Sequence, residues 1–80
     1  MRIGEAVRLR ILELCREREL SVNKLSGMCG LPQSTLNNIV SGRNNSAPVA
    51  TVKKICDGLE IDIVQFFDSP LFRDLEQEIR

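Results

Sequence analysis

Histidine, tryptophan and tyrosine are missing from this 80-residue chain, and three phenylalanines are its only aromatic residues. Without histidine the usual zinc ligand sets cannot be assembled, so no metal site is expected. General acid–base and nucleophilic catalysis lack their usual players for the same reason. Neither a phosphate-cradling glycine loop nor a Cys-His or serine–base arrangement is present, so the residues argue against an enzyme and imply no cofactor. No run of strictly apolar residues exceeds two, which excludes a membrane span and a signal-peptide apolar region. The expected location is the cytoplasm. Cys15, Cys29 and Cys56 form no Cys-x-x-Cys pair, and an odd count in so short a chain argues against a secreted disulfide scaffold. All three fall at inward-facing positions and read as small buried hydrophobes kept reduced. An Asn44-Asn45-Ser46 sequon, with no secretion signal, reads as a turn.

Net charge is also lacking: eleven basic and eleven acidic side chains cancel. Their distribution is uneven. Residues 1–45 hold seven basic and four acidic groups, residues 46–80 four basic and seven acidic, and within 31–45 Arg43 is the only charge. A neutral chain is expected to bind nonspecific DNA weakly and to depend on paired half-sites.

Residues 22–42 carry an ordered set of apolar, small, glycine and polar positions. Leu25 and Met28 are expected to turn one face of a short helix inward, and Ser26 is small enough for the next helix to approach closely. Gly30 tolerates the positive φ that a tight turn between steeply crossing helices demands. Pro32 suits the start of a second helix, which runs to Ser41 and stops at Gly42. With Gln33 set at zero, Leu36, Ile39 and Val40 fall at about 300°, 240° and 340° on that helix, whereas Ser34, Asn37, Asn38 and Ser41 fall between about 40° and 140°. The pattern is that of a helix-turn-helix. An outward face of amides and hydroxyls without an acid suits the major groove, where Gln and Asn bond bidentately to adenine. Such a face alone would more often be merely solvated; the framework around it decides the reading.

Residues 22–42, extended to Arg43 and the helix beginning near Pro48, resemble the phage-repressor and Cro-like (XRE-type) helix-turn-helix family over roughly residues 4–67. The resemblance implies an all-α, compact five-helix repressor-like bundle that binds double-stranded DNA as a two-fold homodimer. It implies that Gln33, Ser34, Asn37 and Asn38 read bases, and that the first turn of the earlier helix, Ser41 and Arg43 hold the backbone. Val22 stands where many relatives place a phosphate-binding Gln or Ser, so Ser21 and Asn23 are expected to replace it, with Asn44 added from the loop. Many relatives also pair a buried Arg with a Glu at the positions of Cys15 and Val40, where an apolar contact is expected here.

The remaining segments fit that frame. Val7, Ile11, Leu14 and Cys15 form the inward stripe of a helix over residues 4–19, and Arg8, Glu13, Arg16, Glu17, Arg18 and Glu19 its wet side. Leu20 packs ahead of the second helix, which Ser21 can cap. Pro48 opens a fourth helix with Val52, Ile55, Cys56 and Leu59 inward, and Asp62 with Gln65 makes a capping box for a fifth that buries Phe66 or Phe67. Ser69 and Pro70 then look like the start of a sixth, amphipathic helix of about ten residues, with Leu71, Phe72, Leu75 and Ile79 as a stripe. A helix so short is marginal alone. Its stripe is expected either to pack in cis or to dimerise, which divides the chain into a DNA-binding domain over 1–68 and a C-terminal helix over 69–80. The expected function is sequence-specific transcriptional regulation; the alternative is a protein-interaction module of the same fold, such as an antitoxin or adaptor.

Overall fold

The computed structural model describes residues 1–43 and 46–79. Its elements are α1 (Ile3–Glu17), α2 (Val22–Cys29), α3 (Gln33–Val40), α4 (Val49–Leu59) and α5 (Ile63–Phe67), followed by one 3-10 turn at Pro70–Phe72. The fold is all-helical, with no strand among the described residues. None of these helices is long and apolar enough to cross a membrane.

Three helix ends use one device. The backbone turns left-handed at Glu19, Gly30 and Glu60, with φ of 55°, 67° and 59°. The next residue's N–H then reaches back five positions: Leu20 to the Cys15 carbonyl at 2.8 Å, Leu31 to Ser26 at 3.0 Å, and Ile61 to Cys56 at 3.0 Å. Each bond draws on a carbonyl of the helix's last turn, and the apolar residue after the turn folds back on the core. Leu20, Leu31 and Ile61 all pack against it. Helix starts are served differently. Ser21 accepts from the Lys24 N–H at 3.0 Å, and Asp62 and Gln65 complete a reciprocal capping box with bonds of 2.7 and 2.9 Å.

Ile11, Leu25, Leu36, Ile55, Leu59 and Phe66 are fully enclosed and form the centre of the core. The most extensive packing is α2 against α4, and Gly58 makes it possible. A β-carbon at Gly58 would lie 2.7 Å from Cys29 Sγ and 3.0 Å from the Met28 carbonyl oxygen. That close approach brings Cys29 inward beside Leu25 and Ser26. Met28, expected inward, is 42% exposed instead.

Arg10 lies on the buried stripe of α1, between Ala6 and Leu14. Its guanidinium donates to the carbonyls of Phe66 at 2.7 Å and Gln65 at 2.9 Å, at the C-terminal end of α5. A third contact is made to Glu13. The cation thus joins α1 to α5 where backbone oxygens and the helix dipole favour positive charge. Glu13, expected on the wet side, belongs to this arrangement.

The sixth helix is limited to the single 3-10 turn. Ser69 caps it by accepting from the Leu71 N–H at 3.2 Å, and Pro70 opens it as expected. Phe72 is then drawn into the core edge, with ring centroids 4.7 Å from Phe67 and 6.2 Å from Phe66. Asp74 turns left-handed at φ 56°, and the Glu76 N–H bonds the Met1 carbonyl at 3.0 Å. Those contacts hold the segment along α1 in a form that no helix could adopt. Leu71, Phe72, Leu75 and Ile79 therefore do not share one helical face: the first three are half-buried and Ile79 is exposed.

Candidate nucleic-acid interface

The turn between α2 and α3 sets the geometry. Gly30 adopts φ 67° and ψ 29°, a conformation that a residue with a β-carbon resists. Pro32, at φ −60° and ψ 142°, stands just before α3, so Gln33 is its first helical residue. Ser26, 2% exposed, hydrogen-bonds the Asn23 carbonyl at 2.8 Å, which satisfies its hydroxyl within its own helix.

On α3, Leu36 and Ile39 are buried and Val40 is half-buried against the core, while Gln33, Ser34, Asn37 and Asn38 are all exposed. Among the described residues no hydrogen bond occupies the side chains of those four outward residues. They present carboxamides and a hydroxyl, donor and acceptor together, along one side of a helix whose other side is locked. The Ser41 hydroxyl donates to the Asn38 carbonyl at 3.3 Å, and Gly42 leaves the helix at φ 83°. Arg43, just beyond, is exposed. Asn44, expected to join it, lies outside the described residues.

At the other end of the motif Ser21 and Asn23 are exposed in and before the first turn of α2. Val22 between them packs against the core, so it is tied to the fold and not to the surface. Cys15 is buried and Val40 partly so, in keeping with the apolar character expected of those two positions. Neither α2 nor α3 carries a carboxylate, and Lys24 and Arg43 supply the local positive charge. The exposed face can therefore approach a polyanion without like-charge repulsion from its own helices.

The three thiols lie away from this face. Cys15, Cys29 and Cys56 are free and buried, and loss of hydration raises each thiol pKa, that of Cys29 from 9.0 to about 11. Among the described residues no group of three His, Cys, Asp or Glu side chains is placed to hold a metal ion.

Arg10 is the polar residue whose role periodicity did not reveal. Its only signal in the sequence was position, because it falls on the stripe defined by Ala6, Leu14 and their neighbours.

Comparisons with known proteins agree with the fold. The family model described as the Cro/C1-type HTH DNA-binding domain matches residues 10–69. The crystal structure of prophage Lp1 protein 11 superposes with a TM-score of 0.80 at 33% identity, covering 94% of this chain and 100% of that one. No curated protein matches the chain.

Proposed function

The chain belongs to the Cro/C1-type helix-turn-helix DNA-binding family, and from that premise we propose that it is a sequence-specific regulator of transcription that lays α3 in the major groove. The observation that carries the proposal is the exposed face of Gln33, Ser34, Asn37 and Asn38 on a helix anchored by Leu36 and Ile39. In the groove a Gln or Asn carboxamide matches the N6 and N7 edge of adenine, and a serine hydroxyl serves either as donor or as acceptor. Gln33 opens the helix, where base-reading residues of the motif are placed.

The backbone contacts come from both flanks. Ser21 and Asn23 lie at the N-terminus of α2, where free N–H groups favour an anion. Ser41 and Arg43 follow α3, and Asn44, next in the chain, completes the proposed set. The mechanism is binding without chemistry, and the family is a DNA-binding regulatory one, not an enzyme family. Residues 1–68 form the DNA-binding unit and 69–80 an accessory segment, in a protein that works in the cytoplasm. A chain of zero net charge gains little from nonspecific attraction, so two copies acting on paired half-sites complete the proposal. Among the apolar tail residues, Leu71, Leu75 and Ile79 remain the candidates for dimer contacts, because Phe72 is the one of the four that packs against the chain's own core.

Selection of bound duplexes from a random library tests the reading. An enriched site with two related halves is the expected result. An unenriched pool from folded protein would overturn it and favour a protein-interaction role for the same fold.

A further inference from the structure

Beside the end of α3 a surface hollow is lined by Arg2 and Arg8 from the start of α1, by Ser41 and Gly42, and by Glu76 and Glu78 from the C-terminal segment. One of these carboxylates is seated on one of these cations. Arg2 Nη2 and Nε donate to the two oxygens of Glu78 at 3.0 and 3.2 Å, a fork-on-fork pair. Glu76 lies 3.5 Å from the Met1 amine, and its backbone N–H bonds the Met1 carbonyl at 3.0 Å. Arg8 is only loosely paired, 3.9 Å from Glu5.

We infer that Arg2, with Arg8, is a DNA-phosphate contact adjoining the Ser41–Gly42 turn, and that Glu78 occupies the phosphate position in the free protein while Glu76 holds the same segment on the Met1 amine. This rests on the proposed DNA-binding reading. A guanidinium fork accepts a phosphate in the same geometry as a carboxylate. The two partners therefore compete for one site. Left in place, the carboxylates would also face the phosphates of any duplex seated against Ser41 and Gly42, and like charges at that range repel.

The segment is built to let go. Phe72 fixes its root against Phe67, while Leu75 is only half-buried and Ile79 is 82% exposed. The ion pairs that hold the rest are exposed, with side-chain accessibilities of 44% and 54% for Arg2 and Glu78. Exposed pairs are weak and are weakened further by salt. Release from about residue 74 onward uncovers the cations without disturbing the aromatic cluster.

The test is a double-mutant cycle in the full chain, combining Glu76→Gln/Glu78→Gln with Arg2→Ala, read by titration of a random duplex at several salt concentrations. All three positions are exposed, and circular dichroism melting checks that every variant is folded. Neutralising the two carboxylates should tighten binding roughly two- to tenfold at low salt. The salt slope should stay close to the parent's, since the same phosphates are engaged once the segment has left, whereas Arg2→Ala should flatten it by about 0.9. In the Arg2→Ala background most of that tightening should vanish. Exchange of the Glu76 amide, which bonds the Met1 carbonyl in the free protein, should become faster on DNA. If the parent binds and the double variant binds equally, or the tightening persists without Arg2, the inference is overturned while the DNA-binding reading stands. If no folded variant binds any duplex, both fall.

Discussion

Replacing Gly58 by alanine should destabilise the domain, although the same change in an ordinary helix stabilises it. Glycine in the interior of a helix costs about 1 kcal/mol relative to alanine, so propensity alone predicts a gain. The packing opposes it. The new β-carbon would meet Cys29 Sγ at 2.7 Å, the Met28 carbonyl oxygen at 3.0 Å and the Met28 carbonyl carbon at 3.1 Å. The thiol can rotate aside. The Met28 peptide cannot, because it is part of the last turn of α2, whose end is fixed by Gly30 and by the Leu31 to Ser26 bond. Overpacking of a close helix contact costs about 1–3 kcal/mol, which outweighs the propensity gain. A net loss centred on about 1 kcal/mol should lower the melting midpoint by roughly 4–8 °C in a domain of this size. Gly27 provides the matched control, since it lies in α2 with nothing within 4 Å of its missing β-carbon. Gly27→Ala should raise stability by about 0.5–1 kcal/mol. Thermal and urea denaturation followed by circular dichroism read both. A Gly58→Ala protein as stable as the parent would refute the claim that this glycine sets the α2–α4 distance.

Arg10→Met should cost about 2–3 kcal/mol by urea denaturation, because the Gln65 and Phe66 carbonyls and Glu13 lose a charged donor together. Arg10→Lys should recover only a minor part, since a single ammonium cannot reproduce the fork, and an unchanged midpoint in the Met variant would exclude the bridge. Cys29 makes stability fall in alkali: its folded thiol keeps the proton to about pH 11 while the unfolded one releases it near 9.0. Stability from this group is therefore fully present below pH 9 and is lost as pH rises toward 11. Cys29→Ala should flatten that part of the profile, and an equally steep decline without the thiol would assign the effect elsewhere. Arg43→Ala should lower affinity for every duplex and reduce the salt slope by about 0.9; an unchanged slope would remove Arg43 from the phosphate contacts.

The helix-turn-helix was legible because its parts are local. Gly30 announced a left-handed turn and Leu36 and Ile39 an inward face, and each, like the Asp62–Gln65 cap of α5, depends on neighbours a few residues away. The ends of α1 and α4 were harder to read, since Glu19 and Glu60 occupy the left-handed position that glycine marks in α2. Nothing in a glutamate signals positive φ; only the leucine or isoleucine next in the chain, folding back on the core, requires it.

Long-range features were hidden for a related reason. Arg10 finds its partners 55 and 56 positions away, so its place on an apolar stripe could be noticed but not explained. Met28 lost its expected place because Gly58, on another helix, decides which side of α2 faces inward. The tail shows the same limit. Leu71, Phe72, Leu75 and Ile79 have helical spacing, but Phe72 gains more by joining Phe66 and Phe67 than by completing a short helix, and the Met1–Glu76 backbone bond ties down the segment beyond it. The outward residues of α3 were readable as a face; their role in recognition depends on a partner that no intrachain pattern encodes.

The central claim, that α3 reads bases, is tested most directly by measuring Gln33→Ala against the parent on the selected duplex and on a random one of equal length. Removal of one bidentate contact should weaken binding to the selected duplex by about 1–3 kcal/mol, relax choice at one position in each half-site, and leave random-duplex affinity and folding stability unchanged. Equal losses on the two duplexes would contradict the claim, since they would make Gln33 a backbone contact and α3 no reader of sequence.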